Sequence, residues 1–239
     1  MLDEFELLDE RVQEKKLDPE IFNYLRSQMQ HHAALSFILA GRHRLDQMTP
    51  RFKNIIFNVG SHQEVGFLKP EEAERLITKP VEPYGVSYAK ECVDRILQLT
   101  AGHPYFIQRL CQGSVELLNK RKSGYIVTMD ILKQAIEDSL KYDQILEDLW
   151  SSQLSAMDKV LFQTLATLVI DDDAWVPEAE LLKNSELASA ELAEVLQKSF
   201  AQRLIMYRQN PGQATEYAFG VDLLRLWIKN ASPIQHVHG

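Results

Sequence analysis

Several stretches of this 239-residue sequence hold groups that could meet a polar ligand. The first is the corner Thr100-Ala101-Gly102-His103-Pro104. One helix ends at Gly102, where glycine can take the left-handed conformation that helix C-termini favour. Another begins at Pro104, whose missing N–H costs nothing in a first turn. That first turn offers free N–H groups and the positive end of a dipole, which suits an anionic or polar ligand. Corners of this type also join helices with no ligand at all. A second stretch is Arg42-His43-Arg44, directly after the apolar run 33–40 and Gly41. The run's length and closing glycine suggest a buried parallel strand, and open sheets bind ligands beyond the carboxyl ends of their strands. The alternative is a solvated loop. Asp3-Glu4 is a third, two adjacent carboxylates behind only two apolar residues. Read locally, these acids belong to an acidic N-terminus running into a helix over 5–13. Asp171-Asp172-Asp173 lacks the alternating ligands and distant glutamate of a calcium loop and reads as a solvated turn. His31-His32 diverge from a helix end and make no metal pair.

The elements that must position these groups are mostly helical. Asp18-Pro19-Glu20 caps an amphipathic helix over 19–30 with Ile21, Phe22, Leu25 and Met29 at helical spacing. Glu64 to Leu68 reads as a short strand leading into a helix that starts at Pro70-Glu71-Glu72, with acids in its first turn, and stops before Pro80. Helices over 88–99, 104–119 and 129–140 form a small bundle. A connector over 150–154 precedes a helix capped by Ser155. Helices over 178–183 and 189–199 follow. Leu204 to Tyr207 and Glu216 to Phe219 flank the turn Asn210-Pro211-Gly212, a hairpin signal. A last helix covers 221–229. Three helices and a hairpin in this order read as a winged helix.

Bulk composition excludes several function classes. Apolar residues make up 45%, enough for a sizeable core, and the net charge of −8 argues against nucleic-acid binding driven by overall charge. From Ser151 onward seven Lys and Arg stand against eleven Asp and Glu, and the third helix of the winged unit carries Glu191 and Glu194 against Lys198 alone. Arg203 and Arg208 near the wing are the exceptions. The two cysteines, Cys92 and Cys111, fall on apolar helix faces and read as buried free thiols. No apolar run approaches the length of a membrane span and the acidic first residues do not resemble a secretion signal, so a cytoplasmic protein is expected.

In order along the chain, these pieces resemble the later part of the STAND-type branch of the AAA+ ATPases, close to the archaeal and Orc1-like signalling ATPases. Leu2-Asp3-Glu4-Phe5-Glu6 resembles the end of a Walker B strand, and Phe37 to Leu45 the sensor-1 strand and its exit. Val65-Gly66-Phe67-Leu68 with Glu71-Glu72-Ala73 resembles the last core strand and the step into the lid. Ala101 to Gln108 resembles the lid's Gly-x-Pro motif. The implied fold is mostly α with a partial α/β core. It comprises the C-terminal part of a P-loop NTPase domain over 1–82, a helical lid over 83–148, a winged helix over 149–232 and a tail over 233–239.

By that resemblance Asp3 would help hold Mg2+, and Glu4 would orient the attacking water as the catalytic residue. Arg42 or His43 would sense the γ-phosphate, with no basis for choosing between them. Pro104 would pack near the adenine of ATP or ADP, and Gly102 would allow the close approach. One departure limits all of this. A phosphate loop requires Gly-x-x-x-x-Gly-Lys-[Ser/Thr], and none of the ten glycines here is followed by lysine. The sequence therefore reads as a P-loop ATPase portion cut at Walker B, itself expected to bind ATP and Mg2+ weakly or not at all. Partners are expected among other protein domains or subunits, with nucleic acid and membrane disfavoured.

Overall fold

Apolar spacing and capping residues set the local elements, and the computed structural model describes residues 1–32, 34–41, 61, 63, 65–122, 124–171, 174–209, 212 and 214–231. The chain divides into two units, Met1–Val65 and Gly66–Gly239.

In the first unit, helix α1 (Glu6–Gln13) and helix α2 (Ile21–His31) meet through Phe5 and Phe22, both buried, with Leu8, Val12, Ile21, Met29 and Leu39 packed around them. The Asp18 carboxylate accepts the Glu20 N–H at 2.9 Å, ordering the entry to α2. Leu2 and Leu39 form a parallel bridge: the Leu2 N–H donates to the Ile38 carbonyl at 2.8 Å, and the Ala40 N–H to the Leu2 carbonyl at 2.9 Å. The buried parallel strand expected over 33–40 is reduced to this bridge among the described residues. Ile38 is 62% exposed and Leu35 52% exposed, so the run is not a buried strand. An apolar run becomes one only where sheet neighbours and covering helices bury both faces.

The second unit opens with 66–69, where a strand was expected. No ladder forms there among the described residues; instead the Leu68 N–H donates to the Gly102 carbonyl at 2.9 Å. Helix α3 (Pro70–Thr78) follows, its entry tied by Glu72 accepting the Lys69 N–H at 3.1 Å, and it buries Ala73 and Ile77. Strand β1 (Ser87–Tyr88) runs parallel to β2 (Ile126–Val127), bracketing helix α4 (Lys90–Thr100) and helix α5 (Pro104–Arg121). Helix α6 (Met129–Tyr142) packs along α5. Helix α7 (Gln144–Asp148) is capped by the Asp143 carboxylate, which accepts two N–H groups at 3.0 and 3.1 Å. The expected connector is a single π-helical stretch, Leu149–Gln153. Cys92 is buried and Cys111 partly so, and both are free.

Helix α8 (Ala156–Leu168), β3 (Val176–Pro177), α9 (Glu178–Asn184), α10 (Ser189–Ala201), β4 (Ile205–Arg208), β5 (Glu216–Phe219) and α11 (Asp222–Ala231) complete the unit. The three strands form an antiparallel sheet in the order β3-β5-β4. Helix α11 packs on α8 and also on α4 and α6, so the helical bundle and the C-terminal module share one hydrophobic core. Trp150 and Trp227 meet there with ring centroids 5.9 Å apart.

Asp158 pins α8 to α10. Fully buried, it accepts the Ser155 N–H at 2.8 Å and the Lys198 ammonium at 2.5 Å, while the Ser155 hydroxyl accepts the Asp158 N–H at 3.2 Å. Burial pushes the Asp158 carboxyl up, but the Lys198 ammonium and the Ser155 donors outweigh it and hold it below the usual carboxylate range. A depressed carboxyl stabilises the fold above its unfolded pKa and loses that contribution as pH falls through the folded one. Asp158→Asn is therefore expected to cost about 1–2 kcal/mol at neutral pH. The gap from the parent should narrow in urea titrations below about pH 4; a gap constant with pH would contradict the ionic role.

Candidate functional site

The acidic pair lies at the end of the Leu2–Leu39 bridge. Asp3 and Glu4 are both exposed, Glu4 takes a left-handed φ of 49°, and its N–H donates to Asp3 Oδ1 at 3.0 Å. The Phe5 N–H donates to the Ala40 carbonyl at 3.1 Å, so the chain turns beside the step from Ala40 to Gly41. A Cβ on Gly41 would meet the Glu6 carboxylate and the Phe5 ring, which would have to shift to admit it. One Asp3 oxygen is occupied by the neighbouring N–H and the other is available to a water or a hard cation. Among the described residues no three His, Cys, Asp or Glu side chains converge as a metal site. A magnesium ion here would draw its remaining ligands from water and phosphate, which fits its usual coordination. Arg42 and His43 lie outside the described residues.

Gly102 and Pro104 belong to the second unit. Helix α4 ends in two successive left-handed residues, Ala101 at φ 48° and Gly102 at φ 83°. The Ala101 N–H closes the helix onto the Leu97 carbonyl at 2.9 Å, and the His103 N–H onto Thr100 at 2.8 Å. Pro104 then starts α5. A Cβ on Gly102 would fall on the backbone of Leu68. The space left by the absent side chain is thus filled by the chain itself, and the need for glycine at this corner follows from packing.

Sequence reasoning missed a stack built on this corner. The His103 ring sits between Phe67, at 4.9 Å, and Phe106, at 4.7 Å, and Tyr105 meets Phe106 edge-on at 5.3 Å. The Arg203 guanidinium lies over Phe67 at 5.7 Å and against Gly66, where a Cβ would collide with it. Burial holds the His103 imidazole below its ordinary pKa, and its Nδ1 is buried with no partner outside its own residue. The corner is therefore an aromatic, partly desolvated wall beside a helix N-terminus. The only local hint was the density of aromatic residues at Tyr105 and Phe106; the Phe67 and Arg203 contributions arrive through tertiary packing.

Most cations of the C-terminal module have partners within the fold. Lys198 pairs with Asp158. Arg208 donates to Glu216 at 2.6 Å and lies 4.6 Å over Trp175. Arg225 forms a buried bidentate pair with Asp222 at 2.5 and 2.8 Å. Lys229 donates to the Val169 carbonyl at 2.7 Å, Lys183 stands 3.9 Å from Glu180, and Lys159 lies over Trp150. Arg203 lies over Phe67, and Lys183, 74% exposed, is the most loosely held of these cations.

No protein-family model and no curated protein sequence matches the chain. Among solved structures, a Walker-type ATPase of Pyrococcus abyssi is similar over 95% of this chain and 61% of its own length, at 10% identity and a TM-score of 0.59. The RuvB Holliday junction branch migration motor of Thermotoga maritima covers 89% of this chain, which spans 64% of that one, at 17% identity and a TM-score of 0.47. A chain of the Drosophila ORC bound to DNA covers 60% of this chain and 39% of its own, at 15% identity and a TM-score of 0.30. The likeness to the Walker-type ATPase shows a shared fold, and at that identity the fold alone. In each case the chain spans less than two thirds of the structure that it matches.

Proposed function

We propose that this chain is the C-terminal portion of an ATP-dependent regulatory switch of the STAND-type AAA+ class. Residues 83–148 would be its lid and residues 149–232 a winged helix that contacts other protein domains. The observation that carries this reading is the core shared by the bundle and the C-terminal module through α11. A displacement at the Gly102–Pro104 corner would then swing both as one body, which is what a switch that signals through its appendage needs.

In this reading Pro104 and the His103 stack form the adenine-facing edge. Asp3 would contribute to holding Mg2+, Glu4 would orient a water for phosphoryl transfer, and Arg42 or His43 would meet the γ-phosphate. The ion would supply charge neutralisation at the phosphates. The phosphate-cradling Gly-Lys-[Ser/Thr] loop is not among these residues, so the chain as given is proposed to be inactive as an ATPase.

Calorimetric titration with Mg-ATP is expected to show no saturable binding in the micromolar range, and a phosphate-release assay no hydrolysis. Saturable hydrolysis would overturn the inactivity. With ADP at millimolar concentration, amide shifts are expected to concentrate at Gly102, His103 and Tyr105. Shifts confined to other parts of the chain would overturn the lid reading.

A further inference from the structure

At the rim of the C-terminal module, three aromatic rings run in a row. Phe200, at the end of α10, meets Tyr207 of β4 edge-on at 4.8 Å. Tyr207 stands directly across the strand pair from Tyr217 of β5, their rings 6.4 Å apart. The Tyr217 hydroxyl donates to Glu178 at 3.1 Å, at the start of α9. Burial, then the Glu178 charge, pushes the Tyr217 phenol up to about 12, so it remains a neutral donor.

The outer end of this row is not core. Phe200 is 46% exposed and Tyr207 50%. Clusters of half-exposed aromatic residues are characteristic of protein-contact surfaces. The electrostatics select the partner. Lys198 and Arg208, which flank the row in sequence, pair with Asp158 and Glu216, whereas the exposed Glu178 closes the row. Such a surface repels phosphate and attracts positive charge. A guanidinium stacks on aromatic faces and pairs with carboxylates, and the stem that carries it covers apolar surface.

We propose that the Phe200–Tyr207–Tyr217 row, ending at Glu178, is a docking surface for an arginine- or lysine-bearing segment of a partner protein. A guanidinium of the segment stacks on Tyr207 and reaches Glu178, and an adjacent apolar residue seats against Phe200. The inference rests on reading residues 149–232 as a protein-contact module and is independent of nucleotide binding.

The test is selection of phage-displayed random dodecapeptides on the full chain, counter-selected on the double variant Phe200→Ala/Tyr207→Ala. Enriched peptides are expected to carry arginine or lysine next to an apolar residue. They should bind each single variant about tenfold more weakly, with thermal melting unchanged. Glu178→Gln, which keeps the hydrogen bond and removes the charge, should weaken binding about threefold, with the difference vanishing in high salt. Enrichment of acidic peptides, or of none that distinguish the parent from the double variant, overturns the proposal. A low-salt mobility shift of random-sequence duplex DNA that the same variants abolish also overturns it and assigns the surface to nucleic acid. The nucleotide titrations read a different region, so their failure leaves this result standing.

Discussion

Trp227→Ala is expected to lower the unfolding free energy by about 3–5 kcal/mol and to melt the helical bundle and the C-terminal module in one transition. Trp227 is 6% exposed on α11, between Leu223 and Leu224 on one side and Ile228 on the other, all buried. Its ring meets Trp150, and its helix lies against α4, α6 and α8. Removing the indole opens a cavity where α11 joins the C-terminal module to the bundle, with little freedom for the walls to collapse. Had the bundle and the module independent cores, the same loss would unfold the module alone and leave a second transition. Urea unfolding followed by far-ultraviolet circular dichroism and by the fluorescence of the remaining tryptophans separates these outcomes. Coincident, single-step curves support the joint; biphasic curves remove the basis for a lid and module that move together.

Most helices were legible from local signals. Pro104 opens α5, Ser155 caps α8, and β4 and β5 pair as a hairpin on either side of 209–215, of which Asn210 and Pro211 lie outside the described residues. Each depends on residues within one turn of the chain. What pairs at long range was not legible. Strands β1 and β3 are two residues long and carry no periodicity; β1 exists because Ser87 and Ala89 donate to the carbonyls of Tyr125 and Val127. The apolar runs 33–40 and 64–68 satisfy the composition of buried strands, but composition does not supply the neighbours that bury them. Of the candidate site, the Gly102–Pro104 corner was legible because Gly and Pro punctuate it. The Phe67, His103 and Arg203 stack was not, because its rings come from segments far apart in sequence. Asp3 and Glu4 lie in one unit and Gly102 and Pro104 in the other. Their association as one site is a matter of resemblance.

The same corner yields two substitutions at adjacent residues with opposite expected signs. Ala101 and Gly102 both have positive φ, yet they differ in what surrounds them. Ala101 is exposed, so its methyl group carries only the intrinsic cost of the left-handed region for an L-residue, about 1 kcal/mol. Ala101→Gly removes that cost and returns part of it as unfolded-chain entropy, for an expected net stabilisation of about 0.5 kcal/mol. Gly102→Ala adds the same intrinsic cost and also drives a Cβ into the Leu68 backbone. Backbone cannot rotate aside as a flexible side chain would. The 66–69 segment must shift, which breaks the hydrogen bond from the Leu68 N–H to the Gly102 carbonyl and disturbs the Phe67–His103 contact. The expected destabilisation is about 2–4 kcal/mol. Thermal and urea melts of both variants check the pair. Equal destabilisation by both substitutions would mean that Ala101 is not held left-handed. A neutral Gly102→Ala would mean that Leu68 does not occupy that space.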